Sequence, residues 1–135
     1  NNKYLPEDLN DPALKPFVEN EIDLPKVNAK FIEIEDRVDG KPKLNKLSDY
    51  GEEKIKTFEE EKKKFLKKIL TRQHGYAFVD RYGRYSLTAG DGGKKRVKIE
   101  SITNNEEKKK ALKEVLRQAS SQSTEQAKEK LFPNR

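Results

Sequence analysis

The chain contains no cysteine, no methionine and no tryptophan among its 135 residues, and only one histidine. Without cysteine there are no disulfides, no thiolate nucleophile and no cysteine-ligated zinc or iron–sulfur site. That histidine is His74. It has no carboxylate close by in sequence, so it is expected at the surface or against backbone carbonyls, with no catalytic or metal-ligating role. Long apolar runs are missing as well. No segment approaches the roughly 18 residues of a membrane span, and a soluble chain without membrane insertion is expected.

Site signatures are equally scarce. The run "GDGGKK" from Gly90 to Lys95 has glycines and lysines but not the spacing of a nucleotide loop, which needs G-x-x-x-x-G-K-[ST] with a hydroxyl for magnesium. It reads as a turn. Glu33, Glu35, Asp36 and Asp39 lack the regular oxygen spacing and central glycine of a calcium loop, and read as a solvated strand face. Nothing matches a nucleophile elbow, a zinc helix or a dinucleotide fingerprint. The chain is therefore read as non-enzymatic, with no catalytic residue, no cofactor and no metal.

What the chain has in abundance is charge. Charged residues make up 40% and hydrophobic residues 32%, for a mean hydropathy of -1.11. That supports one modest core with solvated helix faces around it. The net charge of +6 is unevenly spread. Asn1 to Asp39 carries five basic against ten acidic residues, whereas Lys62 to Lys98 carries twelve basic against two acidic. Such a dipolar chain either pairs its acidic end with its own basic centre or offers that centre to a polyanion. The chain starts at Asn1 without an initiator methionine, as expected of a processed or excised form. Together with the missing cysteine and methionine, this leans slightly toward an exported or organelle-processed protein.

Residues 1–28 hold four of the six prolines and apolar residues with no sustained period. An extended, acidic arm is expected there, with one helical turn available at "DPALKPFVEN", where Asp11 can cap and Pro12 can open the turn. Its apolar residues Leu5, Leu9, Leu14, Phe17 and Val18 are expected either to wrap their own domain or to dock into a protein partner. A single α+β domain over residues 29–120 follows. "FIEIEDRVDGKPKL" alternates around Asp39-Gly40 and predicts a hairpin near residues 30–46, with Pro42 confining its second strand to an edge. From Ser48 to about Arg72 the period is helical, with Ile55, Phe58, Phe65, Leu66, Ile69 and Leu70 on one stripe, Lys62 interrupting it, and Ser48 or Asp49 as the cap.

Residues 75–102 read as a three-stranded antiparallel meander turning at Gly83 and again at "AGDGGKK". A helix then starts at Thr103, Asn104 or Asn105, with Thr103 and Glu106 matching a capping box, and buries Ala111, Leu112, Val115, Leu116 and Ala119. "ASSQSTEQ" reads as a polar break, leaving residues 121–135 as a polar tail with a marginal helix stopped by Pro133. The expected core is Ile32, Ile34, Ile55, Phe58, Phe65, Ile69, Phe78, Leu87, Val97, Ile99, Leu112, Val115 and Leu116.

Gly75, Tyr76, Ala77, Phe78 and Val79 resemble the central strand of the RNA-recognition motif, Lys/Arg-Gly-Phe/Tyr-Gly/Ala-Phe-Val-x-Phe/Tyr. His74 stands where that motif has a cation and Arg81 where it has its second stacking aromatic. A long helix also runs straight into this strand, so the chain is not assigned to that family. The order of three strands and a helix over residues 75–117 is similar to that of the arm-binding domains of tyrosine recombinases, in element order and charge alone. Two functions are carried forward. One is a binding or assembly module meeting a protein partner through the arm and the aromatic, basic hairpin. The other is a nucleic-acid or other polyanion-binding domain using Arg81, Arg84, Lys94, Lys95, Arg96 and Lys98, with Tyr82 and Tyr85 stacking.

Overall fold

The computed structural model describes residues 11–20 and 28–133. Among these the chain forms helices α1 (Lys15–Glu19), α2 (Glu52–Gln73) and α3 (Asn105–Leu131), and strands β1 (Glu33–Val38), β2 (Lys41–Lys46), β3 (Tyr76–Val79), β4 (Tyr85–Ser86) and β5 (Lys95–Lys98). The strands make two antiparallel sheets, β1-β2 and β4-β3-β5, so the fold is α+β as the sequence implies.

The two long helices form the spine. On α2, Ile55, Phe58, Lys62, Leu66 and Leu70 recur at three- and four-residue steps and are buried. On α3 the buried series runs Ala111, Leu112, Val115, Leu116, Ala119, Ser123 and Ala127. The helices lie antiparallel. Leu66 and Leu70 share a cluster with Leu112, Val115, Leu116 and Ala119, while Ile55 and Phe58 meet Ala127 in a second cluster at the far end. Glu61, ion-paired with Lys130 at 2.9 Å, ties the same two helices from the side.

Between the clusters sits Lys62, only 4% exposed, its ammonium donating to Ser120 Oγ at 2.8 Å. The lysine does not break the stripe: its stem fills the seam between the clusters and its head finds a hydroxyl. Burial pushes its pKa below the ordinary value of 10.5.

The expected polar break at 119–126 is a continuation of α3. Ser123 is fully buried and satisfies its hydroxyl locally, donating to the Ser120 carbonyl at 2.9 Å. Small side chains at Ala119, Ser123 and Ala127, four apart, let α3 approach α2 closely, so the segment is held by packing that an apolar count does not register. Asn104 wins the cap, accepting from the backbone N–H groups of Glu106 and Glu107, and the Thr103–Glu106 capping box is not used. At α2 neither Ser48 nor Asp49 caps the helix. Gly51 with φ +98 is the entry residue, and Asp49 instead accepts from the Lys46 backbone at 3.0 Å.

The hairpin forms as expected, with Asp39 at φ +54 and Gly40 at φ +78 making the two-residue turn. Ile34 is its one buried strand residue, and Val38 is half exposed at 48%. Leu5 and Leu9 lie outside the described residues. The described part of the arm is helical and not extended. Asp11 Oδ1 accepts from Ala13 N, Pro12 opens the turn, and Asp11 Oδ2 accepts from Thr71 Oγ1 at the end of α2. Leu14 and Phe17 are fully buried in the cluster around Leu70 and Leu112, and Val18 is half-buried, so this segment packs on its own domain.

Two outcomes follow for stability. Lys62→Met keeps the stem and removes the buried ammonium, and is expected to raise unfolding free energy by about 1 kcal/mol at neutral pH. Because folding lowers the lysine pKa, wild-type stability rises as pH climbs from the folded-state pKa toward 10.5, so the gap between the two proteins closes over that range in urea titrations. Ser123→Leu overfills the seam and is expected to cost about 1 to 3 kcal/mol by the same measurement.

Candidate polyanion-binding surface

Helix α2 stops at His74, left-handed at φ +57, and Gly75 follows at φ +77. The His74 side chain is exposed, as the sequence implied. Gly75 is buried, and its positive φ, more than the ordinary 3.6 Å contact a Cβ would make with Pro16 Cγ, is what suits a glycine where the chain turns into β3.

The strand order departs from a meander. In a meander β5 would lie beside β4, whereas here β3 is central and β5 pairs with its other edge. The reason is the inner face of β3. Ala77 is fully buried in the helical cluster, and Ile99, whose N–H donates to the Gly75 carbonyl at 2.9 Å, is fully buried with it, which holds the end of β5 against β3. Leu87 N donates to Gln118 Oε1 of α3 at 2.7 Å, which holds the end of β4.

Register then sorts the side chains. Ala77 pairs with Val97, and Val79 with Tyr85 and Lys95, on the face toward the helices. Tyr76 pairs with Lys98, and Phe78 with Arg96 and Ser86, on the outer face. Phe78 and Val97, expected in the core, are each half-buried, as are Ile32, Phe65 and Ile69 at the margins of the clusters.

Two clusters of ring and guanidinium result. On the outer face the Arg96 guanidinium stacks on Tyr76 at 3.8 Å from the ring centroid. At the β3–β4 turn Tyr82, 68% exposed, is flanked by Arg81 at 5.0 Å and Arg84 at 5.2 Å. Asp80 builds that turn. Its Oδ1 accepts from the backbone N–H groups of Tyr82 and Arg84, and its Oδ2 from Arg84 Nε at 2.9 Å. The Arg84 backbone N–H and then the Arg84 guanidinium hold the Asp80 pKa below its ordinary value.

The eight sequence candidates therefore divide. Arg81, Arg96 and Lys98 are exposed and have no carboxylate within ion-pair distance among the described residues. Arg84 is engaged by Asp80, though its side chain remains 73% exposed, and Lys94 donates to the Thr88 carbonyl at 3.2 Å. Lys95 falls on the opposite side of the sheet from Arg96. Tyr85 is a correction: it packs against the helical cluster, and burial followed by the Glu107 carboxylate pushes its hydroxyl pKa up, so its ring is not a stacking surface. Tyr76 was missed, although its place in the alternation with Ala77 carried the signal.

A cavity of about 280 Å³ lies elsewhere, between β1 and the end of α3, lined by Ile34, Asp36, Tyr50, Phe132 and neighbours. Glu35 and Asp36 both line it, but consecutive strand residues point to opposite faces and do not form a carboxylate pair. Among the described residues no group of three or more histidine, aspartate or glutamate side chains is placed to hold a metal ion. No helix among the described residues is long and apolar enough to cross a membrane. Compared with protein-family models, curated proteins and solved structures, the chain matches none.

Asp80→Ala is expected to raise hydrogen-exchange rates at the Tyr82 and Arg84 amides while shifting global stability by less than about 1 kcal/mol, since the turn is at the surface.

Proposed function

We propose that this protein is a non-catalytic binding module for a polyanion, and that the contact surface is the outer side of β3 and β5 together with the β3–β4 turn. The observation that carries the reading is the pair of ring–guanidinium clusters, Arg96 on Tyr76 and Arg81 and Arg84 around Tyr82. Guanidinium groups present forked donors suited to phosphate oxygens, and stacking on a ring orients the plane before the ligand arrives. Lys98, paired with Tyr76 across the strands, adds a cation on the same face. The basic residues of α2 add less, because they surround most of that helix.

A protein-binding or assembly role is the second reading. Its arm residues Leu14 and Phe17 serve the core, which removes two of the side chains that favoured it. One observation still supports it: the hairpin exposes Leu44 and, at its base, Phe31, each 63% exposed, with Lys46 over the Phe31 ring at 5.7 Å. A protein partner would meet the chain there.

The polyanion reading predicts binding of a fluorescein-labelled oligonucleotide that weakens linearly on a log–log plot against salt. Each lost phosphate contact reduces the slope by about 0.7 to 0.9, so the Arg81→Ala, Arg84→Ala, Arg96→Ala triple variant is expected to flatten it by about 2 to 3. No binding at low salt, or an unchanged slope in the variant, rejects the reading and turns attention to the hairpin.

A further inference from the structure

Resting on that reading, we infer that the polyanion is single-stranded nucleic acid, whose unpaired bases stack on the Tyr82 and Tyr76 clusters while its phosphates meet the cations beside them.

Polyanions of any kind satisfy Arg81, Arg96 and Lys98 and use the rings only to orient guanidiniums, whereas Tyr82 stays 68% exposed at the tip of a well-braced turn, with surface left for a ligand to cover. A tyrosine ring offers a flat apolar face with a defined quadrupole, a surface on which another planar π system can stack. Asp80 fixes the turn through three hydrogen bonds, so the ring is presented from a shaped support, and the guanidiniums of Arg81 and Arg84 over it are themselves flat groups on which a base can stack. On the strand Tyr76 is half-buried beneath the Arg96 guanidinium, 3.8 Å from the ring centroid, so there a base meets the guanidinium plane first.

Bases inside a duplex are already stacked on each other and have no free faces, whereas unpaired bases do. Aromatic and guanidinium planes are the surfaces such bases stack on. The spacing is compatible. Asp80, where the turn carrying Tyr82 begins, is four residue steps from Tyr76, on the order of 13 Å at a rise of roughly 3.3 Å per residue, which spans about four nucleotides at a stacked spacing of roughly 3.4 Å. Cations lie near both ends of that span, Lys98 across from Tyr76 and Arg81 and Arg84 beside Tyr82. The recognition expected is of a short stretch of strand, tolerant of sequence, because every base has a π face and the outer face offers few groups to read base edges.

The test uses the whole chain. With five tyrosines and no tryptophan, its emission is tyrosine emission, and a base stacking on Tyr76 or Tyr82 quenches it directly. The probes are a mixed-sequence single-stranded 12-mer as DNA and as RNA, the same DNA as a duplex, and inorganic polyphosphate, each titrated at low and near-physiological salt. Expected are tenfold or tighter binding of either single strand over the duplex, and tyrosine quenching by the single strands but not by polyphosphate. Tyr82→Leu is expected to lose about tenfold in single-strand affinity and distinctly less for duplex and polyphosphate, to which the ring contributes only by orienting Arg81 and Arg84. Tyr82 is at the surface of a turn, so this variant folds even if a Tyr76→Leu variant does not. Equal binding of duplex or polyphosphate, or no effect of Tyr82→Leu on the single strands, overturns the inference and leaves the polyanion reading standing. Absence of binding to every probe at low salt overturns both.

Discussion

Everything else in the molecule depends on the antiparallel seam between α2 and α3. With only 32% hydrophobic residues, the chain has few apolar side chains to bury, and the two long helices supply about half of those that are buried among the described residues, with the other elements packed around them. The seam is apolar at both ends and polar in the middle. Lys62 and Ser120 hydrogen-bond where the two clusters meet, and Ser123 closes the same stretch from α3. A lysine in this position costs solvation, which its bond to the Ser120 hydroxyl partly offsets.

The seam also sets the orientation of the three-stranded sheet. Ala77, Leu87 and Ile99 join the cluster that Leu66, Leu70, Leu112 and Leu116 form, and Gln118 of α3 holds the backbone of Leu87. Once these inner positions are committed, strand alternation sends Tyr76, Phe78, Arg96 and Lys98 outward together. A basic, aromatic face is thus the obligatory reverse of a packed one. The asymmetry of charge along the chain becomes a surface because the helices have taken the other side of β3.

The hairpin and the first described helix play supporting parts. Asp11 links the turn before α1 to Thr71 at the end of α2, and Leu14 and Phe17 fill the cluster beneath it. The hairpin is joined to the second cluster through Ile32 and Leu47, whose backbone N–H donates to the Ile32 carbonyl at 2.8 Å, while most of its strand residues remain exposed. A two-stranded sheet with a single buried strand residue has little stability of its own, so its position is borrowed from the helices.

Local chemistry was readable in the sequence wherever one or two neighbouring residues decide the conformation. Asp39-Gly40 dictates its turn because positive φ is needed twice. Asp11-Pro12 dictates a helical start, and the stripe of α2 dictates its buried face. Contacts between distant residues were not readable. The course of α3 through 119–126 depends on small side chains meeting a facing helix. The burial of Lys62 depends on a serine 58 positions away. The order β4-β3-β5, and with it the outward turn of Tyr76 and the inward turn of Tyr85, depends on which strand edge Ile99 can reach while staying in the core. The sequence by itself determined the elements, the turns and the charge available to a ligand. Only the tertiary structure decided which rings and cations share a face, because that is set by which side of β3 the helices cover.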